Sequence, residues 1–217
     1  MCNLYTVRKS ADEIAAHFGV SMPTGFNTPE AEVYPGTPGM VVRESDGARV
    51  LQAMTWGFPL RLKGMKPESK PKPVNNIADL NKGMWLGLAP KPQWRCLIPL
   101  TAFAEAEGPK GAKTRTWFNV KDQPIFAWAG LWRQSDEWGA VYSGVMTDCN
   151  EAIRPVHDRM PVLLQPDEYD TWLKGDFNTA AAFQQRCFPD DLIEMVRTGE
   201  LWVKRKAAAV AADVPLL

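Results

Sequence analysis

Polar and apolar residues near the start of the chain follow the pattern of one short amphipathic helix. Ser10 and Glu13 form a capping box, in which each side chain can bond a backbone N–H of the first helical turn. Ile14 and Phe18 then fall on one face, and Gly19 is a typical stop signal. The pattern predicts an eight-residue helix that begins after Ser10 and ends before Gly19.

The central part of the chain consists of short β-type runs separated by turns. Val41-Val42 and Val50-Leu51 flank Asp46-Gly47, a dipeptide that tolerates positive φ and so favours a tight hairpin turn. Segments 21–40 and 59–73 are rich in Pro and Gly or in Pro and basic residues, which predicts loops. Further strands are predicted over 53–58, 96–99, 116–120, 125–131 and 140–146.

Two further helices and a tail are predicted for the last part of the chain. Residues 167–174 follow a proline and end before Gly175, which is typical of a helix, and residues 179–187 indicate another. Residues 204–217 are predicted to form a frayed helix or a disordered tail. The whole pattern predicts an α+β fold: a single domain over residues 1–203 with a mainly antiparallel, barrel-like β core and short peripheral helices.

Composition and charge narrow the class of protein. A chain of 217 residues can bury a core without disulfide or metal staples. The formal net charge of zero excludes a strongly basic tail-type binder and leaves room for a local basic patch. Only two histidines are present, His17 and His157, which excludes a His-rich metal site. We expect neither a metal nor an organic cofactor.

The cysteines and the absence of targeting signals indicate the cellular compartment in which the protein is expected. The four cysteines show no C-x-x-C spacing; they are Cys2, Cys96, Cys149 and Cys187. The chain lacks a signal-peptide pattern and lacks a run of about 18 apolar residues. We therefore expect a soluble cytoplasmic protein with reduced thiols. Nothing in the sequence demands a dimer, and a monomer is expected.

Cys2 is the first place where chemistry is expected. If Met1 is removed, Cys2 carries an α-amine and a thiol on adjacent carbons. An α-amine has a reference pKa of about 7.7–8, so about a tenth is free base near pH 7. Such an aminothiol can form a Schiff base with an aldehyde and then close a thiazolidine ring through sulfur. The alternatives are an ordinary thiol nucleophile and an inert cysteine.

Two amides and a carboxylate follow a proline-rich approach. Asn75 and Asn76 precede Asp79 at the end of this segment. Amide side chains can orient a polar substrate or hold a terminal amine. A turn with an Asx cap explains the same residues without any function.

Glu105 is a lone carboxylate delivered by an apolar run. It follows Phe103 and Ala104, and such neighbours desolvate a carboxyl group and raise its pKa towards the range of general acid–base catalysis. Glu107 is expected to face water. The alternative for Glu105 is a surface residue at the end of a strand.

His157 lies between two prolines and beside an acid and an arginine. Histidine is the side chain best suited to proton transfer near neutral pH, and Arg159 can fork onto a phosphate. A capped turn with a surface ion pair is the alternative.

Basic and aromatic residues are interleaved upstream of these sites. Residues 61–95 contain eight basic and two acidic residues, a net of +6. Basic groups follow phosphates and aromatic rings stack on bases in single-stranded nucleic acids, at about 1–3 kcal/mol per stacked base. A solvated loop beside core tryptophans is the alternative. The candidates for DNA contacts are Arg61, Lys63, Lys66, Trp56 and Trp85, and a second cluster comprises Lys110, Lys113 and Arg115.

The combination of these motifs resembles the SOS response-associated peptidase family of abasic-site processing proteins. The match rests on motifs spread over about residues 2–165. They are Cys2, Tyr34-Pro35-Gly36, Trp56-Gly57, Val74-Asn75-Asn76 with Asp79, Arg95 to Pro99 leading to Glu105, Thr147-Asp148, and His157 to Val162.

The resemblance implies a sensor that crosslinks itself to abasic sites in single-stranded DNA, of the lyase or peptidase type. In the roles it implies, Cys2 is the covalent nucleophile and Asn75 holds the terminal amine and the opened sugar. Glu105 shuttles protons and assists removal of the residue ahead of Cys2. His157 helps to open the deoxyribose ring and assists reversal, and Arg159 binds phosphate. Such a protein is expected at the nucleoid when it acts on DNA.

This sequence departs from the family pattern at several positions. Asn3-Leu4 replaces a Gly-Arg pair, Ile77 replaces an arginine, and Asp79 replaces a glutamate. Ala106 stands where an aromatic residue usually follows the glutamate. We expect the loss of the two arginines and of the aromatic residue to remove DNA contacts, by phosphate charge or by stacking.

Two other functions fit the same residues. One is a Cys–His thiol hydrolase that cleaves peptides in trans and pairs His157 with Cys2, Cys96 or Cys149. The other is a non-catalytic module that binds nucleic acid or protein. A hydrolase would keep working with its α-amine blocked, and a binding module would form no adduct that survives denaturation.

Overall fold

The computed structural model describes residues 2–21, 23, 25–66 and 68–203. The helices in this part of the chain are α1 (Ala11–Phe18), α2 (Tyr169–Lys174) and α3 (Phe177–Ala182). The strands are β1 (Tyr5–Thr6), β2 (Glu32–Val33), β3 (Pro38–Ser45), β4 (Ala48–Trp56), β5 (Phe58–Leu60), β6 (Lys72–Val74), β7 (Asn76–Ile77), β8 (Arg95–Leu100), β9 (Ala102–Glu107), β10 (Thr114–Val120), β11 (Phe126–Ser135), β12 (Gly139–Asp148), β13 (Arg159–Pro161), β14 (Leu163–Leu164) and β15 (Ile193–Leu201).

A ring of five strands forms the centre of the fold. In the order β12–β4–β3–β8–β11, each strand pairs with the next, and β11 pairs back with β12. The β4–β12 pair is parallel and the other four pairs are antiparallel. Closure removes the free edges that an open sheet would expose. The chain is therefore an α+β domain with a mainly antiparallel, barrel-like core, as the sequence predicts.

A second sheet lies beside the ring and carries the beginning of the chain. Its order is β15–β10–β9–β1–β2, with all pairs antiparallel. Phe103 of β9 and Phe118 of β10 stack with ring centroids 5.2 Å apart on the face turned to the core. Tyr5 of β1 meets the indoles of Trp56 and Trp128 edge to face. The second sheet thus shares one hydrophobic core with the ring.

The local signals predicted for the first half of the chain are present. The Ser10 side chain accepts from the backbone N–H of Glu13, the Glu13 carboxylate accepts from the N–H of Ser10, and Gly19 ends α1 with a left-handed conformation. Asp46 and Gly47 have φ of 52° and 80°, which gives the tight turn between β3 and β4. The strands predicted from 53 to 146 are all present.

Several boundaries differ from the sequence-based prediction. The sequence does not predict the short strands β1, β7, β13 and β14, nor β9 and β15, in which charged residues interrupt the apolar pattern. The predicted loop over 21–40 contains β2 and the start of β3. The predicted loop over 59–73 contains the end of β5 and the start of β6.

The C-terminal helices are shorter than predicted. The helix expected over 179–187 begins at Phe177 as α3 and gives way to a 3₁₀ turn after Ala182. The residues predicted to form the tail, 204–217, lie outside the described residues. Within the described part of the chain, no helix has the length and apolar character needed to cross a membrane.

Gly144 on β12 allows a close approach that the site depends on. It pairs with Asn76 of β7, and a Cβ atom at Gly144 would lie 2.0 Å from the ring of Trp128. Only a residue without a side chain fits there. The indole of Trp128 also donates to the carbonyl of Val145, so the ring is fixed between β11 and β12.

Candidate functional site

Strand register brings Cys2 next to Glu105. Tyr5 pairs with Phe103, and the backbone N–H of Ala104 donates to the carbonyl of Leu4 at 2.9 Å. Because the strands are antiparallel, the residues before Tyr5 run alongside the residues that follow Ala104. The thiol of Cys2 is fully buried at this junction, and its hydrogen-bond contact is the carbonyl of Leu4 at 3.5 Å.

Two consecutive asparagines hold the backbone of Cys2. The side-chain Nδ2 of Asn75 donates to the Cys2 carbonyl at 3.0 Å, and Nδ2 of Asn76 donates to the same oxygen at 2.8 Å. Asn75 also donates to Oδ1 of Asn3 at 3.1 Å. The Asn75 carbonyl is itself fixed by the indole of Trp56 at 3.0 Å. The start of the chain is therefore anchored to the ring of strands.

The carboxyl group of Glu105 lies on the core-facing side of β9. Glu105 is 3% exposed, and its backbone pairs with that of Thr116 on β10. Burial raises the pKa of Glu105 from its ordinary value to about 7. The desolvation that the sequence predicts is present, but Glu105 occupies the middle of a strand rather than the end of an apolar run.

The loop between β12 and β13 presents His157 to this carboxyl group. The backbone N–H of Cys149 donates to the carbonyl of Asp158 at 3.0 Å and closes the loop. Nε2 of His157 then lies 3.9 Å from Oε2 of Glu105. Burial lowers the pKa of His157 below its ordinary value. Both groups are therefore biased towards their neutral forms.

The proton on His157 is assigned from its neighbours. The backbone N–H of Arg159 donates to Nδ1 at 3.0 Å, which requires a lone pair on Nδ1 and places the proton of the neutral ring on Nε2, towards Glu105. The carboxylate of Asp158 lies 3.0 Å from the same Nδ1 and would prefer a proton there. We assign Nε2–H, because a backbone N–H can only donate and the Asp158 side chain is exposed to water.

The thiol of Cys2 is held in its protonated form. Burial raises the pKa of Cys2 well above its ordinary value, and the neighbouring Glu105 acts in the same direction. Beneath it, the hydroxyl groups of Tyr5 and Tyr142 are hydrogen-bonded to each other. A buried thiol of this kind reacts as a neutral group after activation by a nearby base, rather than as a standing thiolate.

Four predicted residues meet at one place. Cys2, Asn75, Glu105 and His157 converge through the hydrogen bond from Asn75 and the contacts around Glu105. A carboxyl group with a pKa near neutrality can both donate and accept a proton at pH 7. The arrangement can therefore support proton transfers at the start of the chain.

The guanidinium group of Arg159 is partly engaged in hydrogen bonds within the protein. Its Nε donates to the carbonyl of Thr147 at 2.9 Å, and Nη2 donates to the carbonyl of Ala78 at 3.1 Å. The Arg159 side chain still borders a cavity of about 580 Å³, which Asn76 also lines. Residues that line this cavity include Leu60, Asn76, Lys82, Met84, Trp85 and Arg159.

The basic residues predicted to contact DNA differ in how available they are. Lys63 and Lys66 are exposed in the segment between β5 and β6. Arg61 is also exposed, but its Nε and Nη2 contact the carboxylate of Glu137 at 3.0 and 3.2 Å. In the second basic cluster, Lys110 and Lys113 are exposed.

Three predictions about surface residues are corrected by burial. Trp56 is fully buried and Trp85 is 7% exposed, so neither ring offers a free face to a base in this structure. Trp85 packs against Phe58 with centroids 5.0 Å apart. Arg115 is 2% exposed and is ion-paired with Glu32 at 3.0 Å, so it does not belong to a surface cluster. The sequence could not distinguish these residues from surface ones, because aromatic and basic types occur in both places.

Two of the three cysteines considered for a thiol hydrolase, Cys96 and Cys149, have raised pKa values. Cys96 and Cys149 are buried, and burial raises the pKa of both thiols, that of Cys96 well above its ordinary value. Cys187 is exposed. Among the residues that the structure describes, no group of three or more His, Cys, Asp or Glu side chains is arranged to hold a metal ion.

Sequence reasoning missed the role of Asn76. It marked both asparagines as a motif, and the resemblance gave a role to Asn75 alone, in holding the terminal amine and the opened sugar. The structure shows both side chains donating to the Cys2 carbonyl, Asn75 at 3.0 Å and Asn76 at 2.8 Å. The signal that pointed to it is the pair of consecutive amides after a proline-rich segment. Asn3, which accepts from Asn75, was noted in the sequence only as a departure from the family pattern.

Comparisons with known proteins show the family to which the chain belongs. A model of the family described as SOS response associated peptidase matches residues 1–199. Two relatives from Bacillus subtilis, the abasic site processing proteins YoaM and YobE, are 25% and 26% identical over 212 and 214 residues. These alignments cover 90% of this chain in both cases, and 88% and 92% of the relatives.

Solved structures share the fold. A protein from Bordetella bronchiseptica is 21% identical with a TM-score of 0.75, and the match covers 91% of this chain and 99% of the other. A protein from Bacteroides thetaiotaomicron is 20% identical, also with a TM-score of 0.75, over 90% and 91% of the two chains. At these identities the likeness establishes the architecture alone.

Proposed function

Because the chain belongs to the SOS response associated peptidase family, we propose that it processes abasic sites in single-stranded DNA by trapping them covalently on Cys2. Its Bacillus subtilis relatives YoaM and YobE are abasic site processing proteins, which supports an abasic site as the substrate. The observation that carries the proposal for this chain is the meeting of Cys2 with the asparagine anchor and with the Glu105–His157 pair.

The chemistry begins with the removal of Met1, since the nitrogen of Cys2 is otherwise an amide. An aminopeptidase removes Met1, or the protein removes it itself with Glu105 as the proton-transfer group. The freed α-amine has a reference pKa of about 7.7–8, so a useful fraction is unprotonated near neutral pH. In the second case the protein acts as a peptidase at Met1, in addition to the lyase-type reaction at the DNA.

The trapping reaction loses one molecule of water. An abasic sugar is in equilibrium with a small fraction of open aldehyde. The α-amine of Cys2 adds to C1′, and expulsion of water gives an imine. The thiol sulfur then bonds to the same carbon, and its proton goes to the ring nitrogen. Because amine and thiol belong to one residue, the second step is intramolecular and has an entropic advantage.

The neutral acid–base pair suits these steps. His157 assists opening of the sugar, and Glu105 delivers the proton that expels water. Proton transfer by a positioned group contributes typically about 10²–10⁴-fold. The pKa of Glu105, about 7, leaves both of its protonation states populated at neutral pH. This fits a group that must first donate a proton and then accept one.

DNA reaches the site as a single or locally distorted strand, since a base-stacked lesion is out of reach. The exposed Lys63 and Lys66 are the candidates for phosphate contacts, together with Arg159 at the edge of the cavity. Arg61 contributes less, because its guanidinium is engaged by Glu137. Contacts of this kind release counterions, so binding weakens as salt rises.

The raised thiol pKa values favour this proposal over a thiol hydrolase. A hydrolytic cysteine needs a lowered pKa or a base bonded to its sulfur. The pKa values of Cys2, Cys96 and Cys149 are all raised by burial. The trapping reaction tolerates a neutral thiol, because the amine makes the first attack.

The proposal is tested with an oligonucleotide that carries one abasic site. Protein without Met1 is expected to give a shifted band on a denaturing gel, and an oligonucleotide without the lesion should give none. Cys2→Ala should abolish the band, whereas Cys187→Ala, at the exposed cysteine, should leave it unchanged. A wild-type protein that gives no band under reducing conditions would refute the proposal.

A further inference from the structure

The side chain of Asn76 has two polar atoms, and in the described part of the chain a hydrogen bond is formed by one of them. Nδ2 donates to the Cys2 carbonyl at 2.8 Å, and the residue is 9% exposed. Oδ1 is buried and has no hydrogen-bond partner among the residues that the structure describes. A buried acceptor without a partner costs free energy, which a donor group brought to this place would recover.

The position of Oδ1 restricts what that donor can be. Oδ1 and Nδ2 are bonded to the same carbon, so Oδ1 lies next to the hydrogen bond that Nδ2 donates to the Cys2 carbonyl. With Met1 attached, the nitrogen of Cys2 has a single N–H whose direction is fixed by the peptide plane. Without Met1, the same nitrogen is an α-amine that carries two or three N–H bonds and rotates about its bond to Cα.

We propose that Oδ1 of Asn76 accepts a hydrogen bond from the α-amine of Cys2 after Met1 is removed. This inference rests on the proposed function, in which that amine is the nucleophile. Asn76 would then hold residue 2 at two points, through its carbonyl oxygen and through its amine nitrogen. Asn75 supports the carbonyl alone, through Nδ2.

Two hydrogen bonds from Asn76 to residue 2 would orient the α-amine for the reaction. The first residues of a chain are poorly ordered unless they are tied down, and an amine that rotates freely points at the sugar only part of the time. A hydrogen bond to Oδ1 fixes the direction of the amine relative to Glu105. Asn76 is therefore a positioning residue that acts through Cys2.

Two substitutions separate the two atoms of this amide. Asn76→Ala removes both hydrogen bonds, and we expect crosslinking at saturating DNA to slow by about tenfold with unchanged DNA affinity. Asn76→Asp keeps an acceptor beside the amine and adds a negative charge, which should raise the pKa of the α-amine by about one unit. Asn178→Asp, at an exposed position on α3, is the matched control.

The pKa of the α-amine is measured without DNA, from the pH dependence of reductive methylation of the N-terminus. Removal of Met1 is first verified by intact mass for every variant. An amine pKa in Asn76→Asp equal to that of the wild type would overturn the inference, as would wild-type crosslinking by Asn76→Ala. A wild-type protein that forms no adduct refutes the proposed function instead, and the amine measurement remains valid.

A structure of the wild-type protein without Met1 gives the same test without a variant. The distance from Oδ1 of Asn76 to the nitrogen of Cys2 should lie in the range of about 2.7–3.2 Å. A nitrogen turned away from Oδ1 would overturn the inference.

Discussion

Nε2 of His157 lies 3.9 Å from Oε2 of Glu105, on an element that is remote from β9 in the chain. Burial raises the pKa of Glu105 to about 7 and lowers that of His157. Near neutral pH the imidazole is neutral, and the carboxyl group is present in both forms. The pair can therefore both donate and accept a proton near neutral pH, which is what a reaction with alternating proton donation and acceptance requires.

The buried carboxyl group should make folding stability depend on pH. The pKa of Glu105 rises from 4.5 to about 7 on folding, so the folded state keeps a proton that the unfolded state has lost. Stability should therefore fall as pH rises from about 4.5 to 7, by up to about 3 kcal/mol. The side chain of Glu105→Gln cannot ionise. In urea unfolding, the free energy of unfolding of this variant relative to that of the wild type should therefore rise between pH 5 and pH 8.

Glu107→Gln is the control for this measurement, with the opposite sign. The hydrogen bond from Thr116, and then the contact with Arg197, lowers the pKa of Glu107. Its contribution to stability is present above the ordinary pKa of 4.5 and is lost as pH falls through the lowered value. If the advantage of Glu105→Gln over the wild type is the same at pH 5 and pH 8, the carboxyl group does not titrate as described.

Proton transfer should be visible in the rate of crosslinking. At pH 7 and saturating abasic DNA, Glu105→Gln should slow the initial rate by about 100-fold, because the amide cannot exchange a proton. His157→Ala should also slow formation or reversal of the adduct, although by less. The rate is read from quenched samples on denaturing gels.

His17→Ala is the matched control for the histidine. His17 packs against Phe18, and its ring nitrogen contacts the hydroxyl of Tyr169 at 3.3 Å. Its substitution should leave the crosslinking rate unchanged. An equal loss of rate in both histidine variants would attribute the effect to folding and not to the pair with Glu105.

Salt dependence should identify the lysines that follow the DNA backbone. Lys63→Gln and Lys66→Gln should each reduce the slope of log K against log salt by about 0.7, as expected for one lost phosphate contact on single-stranded DNA. Arg61→Gln should reduce it by less, because Glu137 already binds that guanidinium. Binding is measured by fluorescence anisotropy with labelled single-stranded DNA, on the Cys2→Ala background that cannot crosslink.

Lys174→Gln serves as the reference for the salt slopes. Lys174 lies on α2 and is ion-paired with Asp170 at 2.9 Å. Its substitution should not alter the slope. Unchanged slopes for both Lys63→Gln and Lys66→Gln would remove this segment from the DNA-binding surface.

Gly144→Ala should destabilise the protein strongly. The added Cβ would lie 2.0 Å from the ring of Trp128, and the ring cannot move without breaking its bond to Val145. Overpacking in a core costs typically about 1–3 kcal/mol, and this contact should reach or exceed that range. Gly199→Ala on β15, where no atom lies within 4 Å of the new Cβ, should change the unfolding free energy by less than about 0.5 kcal/mol.

Local signals in the sequence were sufficient for part of the fold. The capping box at Ser10 and the turn at Asp46-Gly47 act within a few residues, so sequence alone locates α1 and the β3–β4 hairpin. β9 and β15 are not predicted from the sequence because they contain Ala, Glu and Gly, which are depleted in strands, and pairing with β10 makes them strands. Tertiary context decided these elements.

The site could be predicted as a set of residues but not as a geometry. Chemical type marked Cys2, Glu105 and His157, because few other groups move protons near neutral pH. Burial is a property of the folded chain, so the sequence could not show that Trp56 and Trp85 are enclosed. Nor could it show that Asn76 gives the shorter bond to Cys2.

The mass of the protein–DNA adduct tests the central claim most directly. Protein without Met1, incubated with abasic single-stranded DNA and without borohydride, should give a species whose mass equals that of protein plus DNA minus one water. The adduct of Cys2→Ser, which lacks the sulfur, should be seen only after borohydride reduction. An adduct formed equally by protein that retains Met1, or an equally stable unreduced adduct of Cys2→Ser, would contradict the account.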